Sequence, residues 1–79
     1  MKRFLEGEGW VVIRAAGSKP IDLVALRGGR ILFIECKKGG RISAEQREYQ
    51  EGLARRAGAT YVIVTPKNFR EFKERIRGG

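Results

Sequence analysis

Residues 20–39, "PIDLVALRGGRILFIECKKG", place the chain's single aspartate, Asp22, inside one apolar run, and Glu35 and Lys37 inside the next. Residues 21–26 read as a strand. Arg27-Gly28-Gly29-Arg30 is a Gly-Gly hairpin turn, and residues 31–37 form the returning strand. Charge is costly in apolar surroundings unless it is paired, so three charged groups in two such strands call for a reason. Alternate residues of a strand share a face, so Glu35 and Lys37 point one way while Ile34 and Cys36 point the other. The hairpin sets Asp22 across from the end of the returning strand, and the three groups converge. A slip of one residue in the pairing would aim Glu35 and Lys37 at the opposite face.

Two clustered carboxylates repel each other and resist desolvation, and a divalent cation turns such a pair into a ligand set. Magnesium suits it, because it takes oxygen donors, keeps several waters and accepts a phosphate oxygen; Mn2+ is a plausible substitute. A lysine beside that set can orient or deprotonate an attacking water, or steady charge on phosphorus oxygens. Phosphodiester hydrolysis is the chemistry this group performs well. The plainer reading is a strand-edge aspartate and a solvated Glu35–Lys37 ion pair.

Outward from this hairpin, residues 2–6 suit a short helix bearing Phe4 and Leu5, and 10–16 (WVVIRAA) a first strand. Ser43-Ala44-Glu45-Gln46 has the form of a capping box that opens a helix to about Ala57, with Gly58 as its stop. Residues 61–65 (YVIVT) make a fourth strand, joined to the third by a helix and so expected to run parallel to it. Asn68, three residues before Glu71, suits the cap of a last helix whose Phe69, Phe72 and Ile76 form one apolar stripe. The expected fold class is α+β: αβββαβα, a mixed four-stranded sheet flanked by helices, in one domain spanning residues 1–79.

Composition limits the partners. The 79 residues carry 17 Lys and Arg against 9 Asp and Glu, a net charge of +8, which favours a polyanion and nucleic acid in particular. One cysteine and no histidine exclude an internal disulfide and the usual zinc sites, leaving a hard, oxygen-bound ion as the metal to expect. No apolar run approaches a membrane span and no signal peptide is evident, so a cytosolic protein is expected. A domain this small buries only about 60% of its unfolded surface, which makes a homodimer plausible. The first strand, the last helix, and Phe4 with Leu5 are the candidate contact surfaces.

Residues 9–39 resemble, in residue type and spacing, the core of the PD-(D/E)xK nuclease superfamily and within it the archaeal Holliday-junction resolvases. The resemblance implies a restriction-endonuclease-like fold, with Asp22 and Glu35 as magnesium ligands, the Cys36 carbonyl as a backbone ligand and Lys37 as the catalytic lysine. It also sets Ser18 near the scissile phosphate. It implies a two-fold dimer that cuts opposed strands of a four-way junction in recombination and repair, leaving 5′-phosphate and 3′-hydroxyl ends. The proline stands one place early, as Pro20-Ile21-Asp22. The family's longer first helix bears a further metal-binding glutamate ahead of the Gly-Trp pair; Glu6 and Glu8 are the local substitutes, and reduced activity is the expectation without it.

Residues 39–64 are similar to the virus-type replication-repair nuclease domain, whose following helix carries a glutamine. Gln46, on one helical face with Tyr49, Leu53 and Ala57, is the corresponding accessory residue and is expected to face the sheet; its alternative role is the cap on Ser43. Arg14, Lys19, Lys38 and Arg41, with Arg55 and Arg56 on the helix, form a candidate track for DNA phosphates, predicting salt-sensitive, sequence-independent binding. Trp10, Tyr49, Tyr61 and the phenylalanines suit core positions, as does Cys36. The leading expectation is a magnesium-dependent endonuclease that resolves four-way junctions. Its rivals are a replication-repair nuclease acting on flaps or other branched DNA, and a non-catalytic DNA-binding version of the fold.

Overall fold

Gly28 and Gly29 take φ values of 54° and 81°, the left-handed conformation that a two-residue hairpin turn demands and that glycine adopts without strain. They join β2 (Leu23–Arg27) to β3 (Arg30–Cys36) in the computed structural model, which describes residues 1–14, 21–39 and 42–78. Arg27 pairs with Arg30, Ala25 with Leu32 and Leu23 with Ile34, all antiparallel. That register extends to set Asp22, just before β2, against Glu35.

The other elements follow the αβββαβα order expected: α1 (Lys2–Gly7), β1 (Val11–Arg14), α2 (Ala44–Ala57), β4 (Thr60–Val64) and α3 (Phe69–Gly78). The sheet order is β1-β2-β3-β4, with β3 and β4 parallel and the other pairs antiparallel. The last two residues of the expected first strand, 15 and 16, lie outside the described residues, and the other strands sit within two residues of their expected limits.

One face of the sheet carries the main core. Leu23, Ala25, Leu32, Ile34 and Val64 point to it and pack with Leu5 and Trp10, from α1 and the entry to β1, and with Phe72 and Ile76 of α3. Period-2 alternation in the strands meets the stripe of α3, where Phe72 and Ile76 are buried and Phe69 is half-buried. Ile34, fully buried at the centre, is the keystone of this layer. Ile34→Ala is expected to cost about 2–5 kcal/mol, a large share of the ~4–12 kcal/mol available to a domain of this size, as a urea or thermal unfolding series will read.

Helix α2 lies on the opposite face, over β3 and β4. Its N-terminus is capped by Ser43, whose Oγ accepts the Gln46 N–H at 3.1 Å, and its C-terminus ends on Gly58 in the left-handed conformation (φ 72°). The buried stripe of α2 is Gln50 and Ala54, with Leu53 half-buried. Gln46 and Tyr49 are exposed, Tyr49 to 61%, so neither faces the sheet or the core as expected. The buried face of the helix is thus rotated by about one position from the expected one, with Gln50 turned inward and held by hydrogen bonds to Glu35 and Tyr61.

Asn68 stands at the N-cap position of α3, its carbonyl accepting the Phe72 N–H at 2.9 Å, but its side chain turns the other way. Its side chain accepts the Thr65 N–H at 2.8 Å and donates to the Ile63 carbonyl at 3.0 Å. It ties the end of β4 to α3 instead of capping the helix's first turn.

Candidate active site

Asp22 and Glu35 hold one another through the backbone. The Cys36 N–H donates to Asp22 Oδ2 at 3.0 Å, while the Asp22 N–H donates to the Glu35 carboxylate. Each carboxylate is thus fixed by the strand that bears the other, a direct result of the hairpin register. Asp22 is exposed whereas Glu35 is only 7% exposed, so the pair forms a step from solvent into the domain.

Burial, followed by the nearby Asp22 charge, raises the Glu35 carboxyl above the usual carboxylate range. Opposing this are the Gln50 hydrogen bond, the Lys37 ammonium and the Asp22 amide, which favour the ionised form. Lys37 is half-buried just beyond β3, anchored by its N–H to the Val64 carbonyl at 2.9 Å. Asp22 and Glu35 thus meet across the hairpin as its register predicts, and Lys37 stands near enough for its charge to act on Glu35.

Behind Glu35 lies a buried hydrogen-bond chain that the sequence does not announce. Gln50, fully buried in α2, donates through Nε2 to Glu35 Oε1 at 3.1 Å, and the Tyr61 hydroxyl of β4 donates to Gln50 Oε1. The signals for it are the placement of Gln50 one turn before Ala54 and the parallel register that sets Tyr61 beside Phe33. Burial, then the negative charges of Glu35 and Glu51, raise the Tyr61 phenol, which keeps it protonated and able to donate.

Cys36 is not a core residue. It is exposed at the last position of β3, on the rim of a recess of about 290 Å³ shared with Val64, Pro66 and Phe69. Its thiol is raised by burial and by Asp22, the opposite of what a reactive thiolate needs. Glu6 does not join the carboxylate pair: it lies exposed on α1, in an ion pair with Lys2 at 3.4 Å, and Glu8 meets Arg77 at 3.8 Å. Gln46 stays at the exposed start of α2.

Among the described residues no three His, Cys, Asp or Glu side chains gather into a metal cage. Asp22 and Glu35, two hard oxygen donors fixed by main-chain bonds, fit instead a cation that retains much of its water. Arg14, Lys38, Arg55 and Arg56 are exposed, available to a polyanion; Arg55 and Arg56 also sit in the last turn of α2, favourably placed for its dipole. Ser18, Lys19 and Arg41 lie outside the described residues.

An αβββαβ core whose second and third strands join an aspartate to an E-x-K sequence is the arrangement of the PD-(D/E)xK nuclease superfamily. The model of the archaeal Holliday junction resolvase (Hjc) family matches residues 1–73, and the chain belongs to that family. It is 54% identical over 41 residues to the crossover junction endodeoxyribonuclease Hjc of Methanocaldococcus jannaschii, a match covering 52% of this chain and 31% of that protein. It is similar in structure to Hjc of Archaeoglobus fulgidus, a Holliday junction resolvase from an archaeal hyperthermophile, with a TM-score of 0.66 at 32% identity. That superposition covers 82% of this chain and 64% of the other. The chain thus spans about a third of the curated relative's length and under two thirds of the structural one.

Proposed function

We propose that this chain is a magnesium-dependent endonuclease that cuts four-way DNA junctions as a two-fold dimer. The observation that carries the reading is the reciprocal clamp of Asp22 and Glu35 with Lys37 beside it, in a member of the Hjc family. Asp22 and Glu35 are the residues that hold the cation, together with the Cys36 carbonyl. Magnesium supplies charge to polarise the phosphate and lower the pKa of a bound water. Lys37, whose charge already acts on Glu35, is the group that orients the attacking water and offsets negative charge on the non-bridging oxygens. The net charge of +8, with Arg14 and Lys38 exposed, draws the DNA backbone in without reading bases.

The dimer reading rests on the sheet face that α2 leaves uncovered. Val11 and Ile13 are 63% and 53% exposed there, beside half-buried Val24, Leu26, Ile31 and Phe33. Two chains of charge +8 repel, so they associate best through a face that carries no charge. A second copy on this face supplies the second active site that paired cuts in a two-fold junction need.

The test is incubation with a labelled four-way junction, a flap and a matching linear duplex, with magnesium or with chelator. Paired junction nicks that require magnesium are expected, and binding should weaken steeply between about 50 and 200 mM salt. Salt-sensitive binding with no cuts under any metal would overturn the catalytic reading, and preferential flap cutting would overturn the junction specificity.

A further inference from the structure

We propose that Gln50, oriented by Tyr61, is the positioning residue that holds the Glu35 carboxylate in its cation-binding orientation; this rests on the reading of Glu35 as a magnesium ligand. The structure joins three side chains from three elements: Glu35 of β3, Gln50 of α2 and Tyr61 of β4. A carboxamide offers a donor at one end and an acceptor at the other, and the wrong end would oppose the carboxylate with a lone pair. Tyr61 decides the matter by donating to Gln50 Oε1, which leaves Nε2 as the end that faces Glu35 Oε1 at 3.1 Å.

The burial pattern argues for a role beyond packing. Gln50 is fully buried while its helix neighbours Gln46 and Tyr49 are exposed. A leucine of similar volume would fill this place without desolvating an amide, which costs free energy unless its hydrogen bonds are made. The benefit lies in Glu35: one oxygen fixed from behind by Gln50 and the carboxylate braced from the Asp22 side by a main-chain amide leave a single orientation. Groups that orient a ligand from behind typically govern metal affinity by about 10–100-fold. The same parallel pairing of β3 with β4 that builds the sheet sets Tyr61 opposite Phe33, two residues before Glu35, within reach of Gln50.

The experiment is a titration of the intact chain with Mn2+ alone, following the free ion by electron paramagnetic resonance, in wild type, Gln50→Leu, Tyr61→Phe and Glu35→Gln. Gln50→Leu is expected to weaken Mn2+ binding about 10–100-fold and Tyr61→Phe by less. Four-way junction binding in chelator should be unchanged in both, and raised Mn2+ should recover much of the cutting rate. A merely structural role would lower the melting temperature and leave Mn2+ affinity alone. Wild-type affinity in folded Gln50→Leu, with Glu35→Gln losing the ion, overturns the role of Gln50 and spares the metal site. Unchanged affinity in Glu35→Gln overturns both. Should Gln50→Leu not fold, Tyr61→Phe decides by itself: wild-type Mn2+ affinity there overturns the proposal.

Discussion

Glu35→Gln and Asp22→Asn are each expected to reduce magnesium-dependent junction cutting on the order of 10³-fold or more while leaving junction affinity in chelator within about twofold. Both exchanges keep size and remove charge. The amide carbonyl introduced at position 35 can still accept from Gln50, and the one introduced at position 22 can still accept from the Cys36 N–H, so the hairpin and the DNA-facing surface should persist. What is lost is the pair of anionic oxygens. A gel-shift series beside a single-turnover cutting assay separates the two properties, and near-normal cutting in either variant would remove its residue from the active site.

Glu35→Gln should also make the metal-free domain more stable. The folded-state pKa of Glu35 lies above its unfolded value, because burial and Asp22 disfavour the charge. For such a group the stabilising contribution is complete below the ordinary carboxylate value of about 4.3 and is lost as pH rises through the folded value. Wild type therefore loses ground to Glu35→Gln on going from about pH 4 to pH 7. Thermal melts in chelator should show the variant's advantage at pH 7 and its disappearance at pH 4. The site trades folding stability for a carboxylate held ready, a compromise expected where chemistry is done.

The sequence makes the hairpin legible because three local signals agree there: alternating apolar runs, a Gly-Gly turn, and polar residues at positions that the turn brings together. The parallel partner of β3 is legible too, since only a crossover can follow an intervening helix. The helix faces are harder. On α2 the aromatic Tyr49 suggests a buried stripe, yet it is Gln50 and Ala54 that face inward while Tyr49 stays in water. That rotation is a tertiary effect, invisible to periodicity alone. Cys36 departs from expectation for a related reason. Its alternation with Ile34 puts it on the core face, but the end of β3 borders an open recess, and position along a strand is not encoded in its period. The Gln50–Tyr61 chain depends on both the helix rotation and the β3–β4 register, so it emerges only in three dimensions.

Ile13→Asp combined with Val11→Asp is expected to yield a folded monomer that nicks junctions singly and at a much reduced rate. Both positions are mainly exposed in the isolated chain, so an aspartate there stays solvated and the fold loses little. In a dimer packed on this face the same aspartates would be buried without partners, a cost of several kcal/mol that moves the dissociation constant by orders of magnitude. Their pairing partners across the sheet, Leu26 and Val24, are half-buried and would keep packing on the strand, which holds the monomer's register in place. Asp22, Glu35 and Lys37 sit at the opposite end of β2 and β3 from the Gly28–Gly29 turn and keep their hydrogen bonds, so single-strand nicking measures an intact site while paired cutting measures the assembly. Analytical ultracentrifugation of wild type and variant gives the association state directly. A variant that sediments as wild type and still cuts in pairs would move the interface to another surface; a monomer that loses paired cuts yet keeps slow single nicks would locate the dimer on the uncovered half of the sheet and show why so small a domain leaves that half bare.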